Sequence, residues 1–335
     1  MIPAPYLLYL GHSRDFFGLK TSRGLATFRR EACVGEFRHD DCPFTLDLPR
    51  LSFAEAAAVG AKTVVLGIAN SGGTFDAGLI DDAAAALEAG MNVAAGLHHR
   101  LRDQPRLAEL AAAKGLHLFD VRDPPADLIV GTGLRRAGNR VLTTGTDCST
   151  GKMYTTLALV RGLVARGIAA DFRATGQTGI LIAGAGVPVD AVVADFISGA
   201  IEMLTPARTD DGWDVIEGQG SLFHPSFAGV STGLLHGAQA KALVMCHEPG
   251  REHMRGLPGR ALPSLGDCID MNLQVAQLTS PDVVMTGIAL NTSAFNEATA
   301  HQLCYETSNA HGLPCTDPHR FGVEALLDAL PVSGP

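Results

Sequence analysis

A single loop restricts what this chain can fold into more than any other feature of its sequence. An apolar stretch at residues 141–144 leads into GTDCSTGKM at 145–153, and an amphipathic helix is predicted over 152–165. A strand that enters a glycine-bounded loop and then a helix directs backbone N–H groups and the positive end of the helix dipole towards an anion. The pattern therefore predicts a phosphate-binding loop in a parallel α/β sheet.

The loop departs from the usual pattern G-x-x-x-x-G-K-[ST] at two positions. Thr146 occupies the first glycine position, with Gly145 one residue earlier, and Met153 stands where a serine or threonine hydroxyl normally holds Mg²⁺. We expect the anion-binding part to be intact and the metal ligand to be missing. An ordinary strand-to-helix turn is the alternative. The predicted ligand-binding residues are Gly145, Thr146, Asp147, Cys148, Ser149, Thr150, Gly151, Lys152 and Met153.

Composition and charge narrow the possible partners. The 335 residues, 46% apolar and 18% charged, suit two domains of ordinary size. A formal charge of −9 argues against nucleic acid and favours small-molecule ligands. No apolar run reaches the roughly 18 residues of a membrane span. The seven cysteines show no metal-binding spacing and are typical of reduced cytoplasmic thiols. We expect a cytoplasmic homo-oligomer that contacts neither nucleic acid nor membrane.

Short apolar runs alternate with helical segments along the chain, which is typical of parallel α/β folds. Pro124-Pro125 and RRAGNR at 135–140 indicate a boundary. We predict a Rossmann-like domain at 1–137 and a P-loop NTPase-like, doubly wound domain at 138–335. A helix is predicted over 189–204. Ligands bind at the carboxyl ends of parallel strands, so the loops at 70–73 and 96–99 are further candidate sites.

Several segments together resemble known families. GTDCSTGK at 145–152 and VIEGQG at 215–220 resemble dethiobiotin synthetase, over the C-terminal half only. A wider set is similar to a two-domain P-loop family of formerly unknown function that includes the bacterial D-glutamate N-acetyltransferase. Its segments are KTSRG at 20–24, GLH at 96–98, ATGQTG at 174–179, GVPVD at 186–190, EGQGSL at 217–222, HP at 224–225 and GIALNT at 287–292. This resemblance covers nearly the full chain.

The resemblance implies acetyl-CoA as donor, a D-amino acid, chiefly D-glutamate, as acceptor, and a role in D-amino-acid catabolism. No metal is required for this reaction. Acetyl transfer from a thioester needs a base for the ammonium, donors for the oxyanion and a departing thiolate. The candidate catalytic residues are Asp195, Glu217 and His224. Histidine has the ordinary pKa nearest neutrality, whereas a carboxylate needs burial to raise its own.

These candidates differ in their sequence context. Asp195 lies in an apolar run, where an inward-facing carboxylate is costly unless it is paired or functional. Glu217 ends a predicted strand, where ligands bind. A structural loop histidine is the alternative for His224. Cys148 offers a covalent acetyl intermediate, although direct transfer is simpler.

The expected substrate-binding residues are Arg173, Gln177 and Asp190. Asp190 has a helix cap as its alternative role. Lys20 and Arg29 of the first domain are further cations for substrate carboxylates. Two other functions stay open. One is a Mg-ATP-dependent ligase of the dethiobiotin synthetase type, with Mg²⁺ held by Thr155 or Asp147, and the other is a nucleotide-sensing binding protein.

Overall fold

The computed structural model describes residues 2–68 and 75–331, apart from the side chain of Phe17. The candidate loop at 70–73 lies outside the described residues. In this part of the chain, none of the helices combines the length and the apolar character that a bilayer span requires.

The strands, in chain order, are β1 (Tyr6–Gly11), β2 (Cys33–Arg38), β3 (Thr63–Leu66), β4 (Asn92–Ala95), β5 (Leu118–Asp120), β6 (Asn139–Gly145), β7 (Ala170–Arg173), β8 (Trp213–Ile216), β9 (Ala242–His247), β10 (Val284–Leu290) and β11 (Cys315–Thr316). The α-helices are α1 (Lys20–Phe28), α2 (Phe53–Ala58), α3 (Ala77–Glu88), α4 (Pro105–Lys114), α5 (Lys152–Ala165), α6 (Gln177–Ala183), α7 (Ile197–Leu204), α8 (Ala228–Ala238), α9 (Leu265–Gln277), α10 (Glu297–His311) and α11 (Glu324–Asp328).

The chain divides into two compact units. The first consists of Met1–Asp123 and Gln177–Pro188, and the second of Pro124–Gly176 and Val189–Pro335. Helix α6 therefore belongs to the first unit, although its sequence lies within the predicted domain at 138–335. The physical reason is burial, because Leu181 of α6 packs into a core cluster of the first unit that also contains Leu8 and Leu25.

The first unit contains a parallel sheet with the strand order β2-β1-β3-β4-β5. This is a doubly wound order, in which helices cover both faces of the sheet and ligands bind beyond the carboxyl ends of the strands. Strand β1 is buried along its whole length, as expected for a strand covered on both faces. The loops that follow β1, β4 and β5 therefore share one edge of this unit.

The second unit contains a parallel sheet with the order β11-β10-β9-β6-β8-β7. Strand β6 is buried throughout and pairs with β8 on one side and β9 on the other. Gly145 lies opposite Cys246 in register. The loop after β6 is consequently placed between the turns that follow β8 and β9, and these turns build the site. Both sheets are parallel, as predicted.

The prediction of one helix over 189–204 is wrong. Two short 3-10 turns, Val189–Ala191 and Ala194–Phe196, come before α7, which begins only at Ile197. Val193 between them has extended backbone angles, with φ −59° and ψ 136°. An extended residue interrupts the helical hydrogen-bond ladder, and Val193, a β-branched residue, tolerates this conformation well. Asp195 is therefore exposed on a turn and does not face inward from a helix.

Candidate ligand-binding site

The loop between β6 and α5 closes over the ammonium of Lys152. Lys152 Nζ donates a hydrogen bond to the backbone carbonyl of Asp147 at 2.7 Å, and Thr150 Oγ1 donates to the same carbonyl at 3.2 Å. A Cβ at position 145 would lie 2.8 Å from Thr150 Oγ1 and 2.9 Å from Lys152 Nζ, so a larger residue than glycine would displace these two groups. The loop is thus tightly packed, and α5 begins directly at the lysine.

Lys152 is a buried cation that exposes 7% of its surface. Desolvation by burial lowers the pKa of Lys152, while Cys148, Cys246 and Asp147 act in the opposite direction. A buried charge that is incompletely compensated gains stability when an opposite charge binds beside it. The loop therefore holds a positive charge suited to a phosphate group.

Arg251, in the turn after β9, fixes the main chain of the loop. Arg251 Nη1 donates to Asp147 Oδ2 at 2.8 Å and to the Cys148 carbonyl at 2.7 Å, and Nη2 donates to the Ser149 carbonyl at 3.3 Å. The backbone N–H of Arg255 also donates to Asp147 Oδ2, at 2.7 Å. Charge-assisted contacts of this kind are about twice as strong as neutral ones. The turn after β9 therefore holds the loop in its observed shape.

Arg251 and Arg255 were not among the residues predicted from the sequence. A usable signal was present in HEPGR at 247–251, because polar turns at the carboxyl edge of a parallel sheet bind ligands. What the sequence does not give is the strand order that makes β9 the neighbour of β6.

Thr146 joins the start of the loop to the end of β9. Its Oγ1 lies 3.0 Å from His247 Nδ1, at hydrogen-bond distance. Burial lowers the pKa of His247 to about 4, assisted by the positive charges of Arg251 and His311. His247 is therefore neutral near pH 7 and adds no charge to the site.

Glu217, directly after β8, holds the turn that follows β7. Its Oε2 accepts the backbone N–H groups of Thr175 at 2.9 Å and Gly176 at 3.0 Å, and Thr175 Oγ1 donates to the Glu217 carbonyl at 2.5 Å. The next residue must be glycine, because a Cβ on Gly218 would lie 1.7 Å from the carbonyl oxygen of Thr143. The Glu-Gly pair thus ties the turn after β7 to the central strand β6.

His224 is buried in the turn that precedes α8. Its Nδ1 accepts the backbone N–H of Ser226 at 3.2 Å, and its Nε2 lies 3.0 Å from the carbonyl oxygen of Arg255. The partners define the tautomer, since a carbonyl can only accept, and the proton is therefore on Nε2. The ring also stacks on Phe227, with 4.5 Å between centroids.

The structure brings His224 together with two residues of the loop. Asp147, Cys148 and His224 each offer one potential metal-ligand atom, and these atoms lie within 4.8 Å of one another. Both nitrogens of His224 are hydrogen-bonded, and the Asp147 carboxylate is paired with Arg251. A cation at this position would have to replace these contacts and lie beside a guanidinium, which is electrostatically unfavourable.

Two other residues bear on the predicted absence of a magnesium ligand. Met153 lies half-buried in the first turn of α5. Thr155, an alternative ligand, is buried, and its Oγ1 accepts a hydrogen bond from Cys246 Sγ at 3.5 Å. The Thr155 hydroxyl is therefore engaged with β9.

The other predicted site residues of the second unit, Arg173, Asp190 and Asp195, take no part in the loop contacts described above. Asp190 and Asp195 are exposed. Arg173 Nε donates to Asp214 Oδ1 at 2.8 Å. Arg173 lies opposite Ile216 in register, so Asp214 is two residues closer to the amino end of β8. This ion pair draws the Arg173 guanidinium back from the carboxyl edge of the sheet, where a substrate would bind.

Gln177 begins α6 and belongs to the first unit. A Cβ on Gly96 would lie 1.8 Å from Gln177 Oε1, so the side chain packs against the carboxyl end of β4. Arg29 is used structurally, because its Nη1 donates to the carbonyls of Leu181 at 3.2 Å and Ile182 at 3.0 Å.

A parallel sheet whose central strand enters a loop closed over a buried lysine, with a helix starting at that lysine, defines a P-loop protein. In this chain the P-loop unit is combined with a second parallel α/β unit. The chain belongs to the DUF1611 family: its P-loop domain of unknown function matches residues 129–327, and its Rossmann-like N-terminal domain matches residues 33–124. The predicted family and fold class are confirmed.

Two curated relatives resemble the chain over nearly its full length, and both are named D-glutamate N-acetyltransferase. The protein from a Pseudoalteromonas species is 47% identical over 97% of this chain and 98% of its own length. The protein from Tritonibacter scottomollicae is 48% identical over 98% and 99%, respectively. The crystal structure of a DUF1611 family protein from Anabaena variabilis superimposes with a TM-score of 0.89 at 33% identity, covering 98% of this chain and 99% of that one.

Proposed function

We propose that this protein is a D-glutamate N-acetyltransferase, which moves the acetyl group of acetyl-CoA to the amino group of D-glutamate in D-amino-acid catabolism. The observation that carries the proposal is its similarity, along nearly the whole chain, to two relatives that bear this name. The enzyme would act on small molecules. The seven cysteines are all free thiols, which supports a cytoplasmic location, and we expect a homo-oligomer.

The phosphate-binding loop supports acetyl-CoA as the donor. Coenzyme A carries a pyrophosphate and a 3′-phosphate, and the loop offers Lys152 at the start of α5 as a buried countercharge. Helix N-termini bind such anions through their unpaired N–H groups. We therefore assign donor binding to residues 145–153.

The position of Met153 supports a reaction that needs no metal. Acetyl transfer from a thioester breaks a C–S bond and involves no phosphoryl group. A Mg-ATP-dependent ligase would have to hold Mg²⁺ without a hydroxyl at this position, while Thr155 and Asp147 are engaged elsewhere. The names of the two curated relatives favour neither this ligase nor a nucleotide-sensing protein.

The reaction is proposed to proceed by direct transfer. The amino nitrogen of D-glutamate attacks the thioester carbonyl, a C–N bond forms, and the C–S bond breaks. Before the attack the ammonium group loses one proton to a base, and the second proton that the nitrogen loses as the amide forms is balanced by the proton that the departing thiolate takes up. His224 would accept the ammonium proton at Nδ1 after releasing the Ser226 N–H. Glu217 would position the turn after β7, and Asp195 would act from its exposed turn.

The test follows the release of free thiol when the protein is mixed with acetyl-CoA and D-glutamate, with L-glutamate as the control acceptor and a metal chelator in a parallel sample. We expect thiol release that requires the D-isomer and persists with the chelator. Absence of thiol release with any D-amino acid would refute the proposal. Mg²⁺-dependent hydrolysis of ATP would instead support the ligase.

A further inference from the structure

The first unit carries its own group of basic side chains at the carboxyl edge of its sheet. Arg122 follows β5, His98 follows β4, and Lys20 begins α1, the helix after β1. Open α/β sheets bind their ligands at this edge. The group is therefore placed where a ligand is expected, on a protein whose formal charge is −9.

Arg122 is the centre of this group. Its Nη1 lies 3.2 Å from His98 Nε2 and 3.5 Å from the Gly96 carbonyl oxygen. Desolvation by burial lowers the pKa of Arg122, as expected for a half-buried guanidinium. A cation in this setting binds an anion more strongly than a solvated cation does, because solvent screens it less.

The surroundings of His98 are positively charged. The pKa of His98 is lowered first by desolvation and then by the charges of Arg122, Lys20 and His99. The nearby carboxylate of Asp123 is already paired with Arg100 at 3.0 Å. The carboxylate of Asp120 accepts the backbone N–H of Leu101 at 2.6 Å and lies 4.0 Å from Arg102 Nε. These acids are thus engaged by residues of the loop at 100–103.

Gln177 brings an amide group to the same edge. Its side chain packs against Gly96, as described above, and the hydroxyls of Thr21 and Thr178 lie 2.9 Å apart. This contact joins the first turn of α1, next to Lys20, to the first turn of α6. The amide of Gln177 and the cations are therefore held on neighbouring elements.

We propose that Lys20, His98, Arg122 and Gln177 form the binding site for a carboxylate group of the acceptor amino acid. The proposal rests on the function proposed above. It gives the acceptor carboxylate basic partners in the first unit, whereas the Arg173 guanidinium is paired with Asp214. A guanidinium binds a carboxylate through two parallel hydrogen bonds, and an amide N–H₂ adds a donor that does not depend on pH. A phosphate of the donor is the other anion with matching chemistry, and the kinetic test separates the two.

The test compares Arg122→Gln with Arg102→Gln, which removes another arginine from the same edge that is paired with Asp123. We expect Arg122→Gln to raise the KM for D-glutamate about tenfold or more, as for the loss of a hydrogen bond to a charged group. The KM of Arg122→Gln for acetyl-CoA should stay within about twofold of the original value. In Arg102→Gln, the KM values for both D-glutamate and acetyl-CoA should stay within about twofold. Lys20→Gln, at an exposed position, should raise the KM for D-glutamate by a smaller factor and provides a variant that folds without difficulty.

The outcomes are distinguishable. An unchanged KM for D-glutamate in folded Arg122→Gln would overturn the inference, and a rise confined to the KM for acetyl-CoA would assign the group to a donor phosphate instead. Lack of activity in the unmodified protein would refute the proposed function. In that case, calorimetric titration with D-glutamate decides the inference, since binding that Arg122→Gln weakens would support it and equal heats in both proteins would exclude it.

Discussion

The role of Lys152 can be tested by Lys152→Met, which removes the ammonium and keeps a side chain of similar length. Retaining the stem matters because Lys152 Cδ lies close to Gly218, at 3.1 Å from an ideal Cβ built there. A hydrogen bond to a charged group contributes about 1.5–3 kcal/mol, and each 1.4 kcal/mol is about tenfold in affinity. We therefore expect the Kd for acetyl-CoA to rise about 10–150-fold, while the KM for D-glutamate stays within about twofold.

The unliganded variant should be at least as stable as the original protein. Desolvation lowers the pKa of Lys152, so the buried ammonium is costly without an anion, and Thr150 still donates to the Asp147 carbonyl at 3.2 Å. The stabilisation by coenzyme A should fall instead. At a ligand concentration about 100 times the original Kd it amounts to about 2.7 kcal/mol, and a 100-fold weaker Kd reduces it to about 0.4 kcal/mol.

The assays are thermal unfolding with and without coenzyme A, together with steady-state kinetics for both substrates. Lys241→Met is the matched control, because Lys241 Nζ donates to Asn139 Oδ1 at 2.8 Å at the amino end of the same sheet. The control should behave as the original protein does. Equal increases in both KM values for Lys152→Met, or an undiminished stabilisation by coenzyme A, would refute the reasoning.

Three further predictions concern the same loop. Met153→Ser should not produce a Mg²⁺-dependent ATPase, as measured by phosphate release, because one hydroxyl does not free Asp147 from Arg251; measurable turnover would contradict this. Arg251→Gln should lower the free energy of unfolding in urea by about 3 kcal/mol or more, since the buried Asp147 carboxylate loses its guanidinium partner. The double variant Arg251→Gln/Asp147→Asn should recover part of this lost free energy of unfolding. A loss in the double variant equal to the sum of the losses in the two single variants would contradict the pairing. Burial lowers the pKa of His247 to about 4 in the folded protein, below its ordinary value of 6.5. Protonation therefore favours the unfolded chain, and stability is lost as pH falls from 6.5 towards 4. The loss should be about 2 kcal/mol near pH 5, absent in His247→Gln but kept in His99→Gln; an unchanged pH dependence in His247→Gln would exclude it.

The parallel fold and the phosphate-binding loop could be predicted because both depend on local sequence. Residues 141–144, VLTT, form a short uncharged segment rich in β-branched residues, which favours a strand, and β6 is indeed buried throughout. The glycines and Lys152 of the loop act through the backbone around them. The predicted helix at 152–165 has the bounds that the structure shows for α5.

The contacts that complete the site depend on pairings between distant parts of the chain. Arg251 reaches the loop only because β9 lies beside β6, and strand order is not encoded in any short segment. Arg173 has the right charge for a substrate carboxylate, but Asp214 on the adjacent strand engages it. The inward orientation expected for Asp195 was wrong because a single helix was predicted there, whereas the extended backbone at Val193 places Asp195 on an exposed turn.

Residues 177–188 belong to the first unit, so no single cut separates the chain into its two units. A cut after residue 123 would remove α6, and with it Leu181, which is 1% exposed and belongs to the same core cluster as Tyr6 and Leu10. The remaining fragment would present that apolar surface to water and be prone to aggregation. The N-terminal fragment is therefore not a complete unit, and recombination with other proteins should keep the first unit folded only when residues 177–188 are transferred with it.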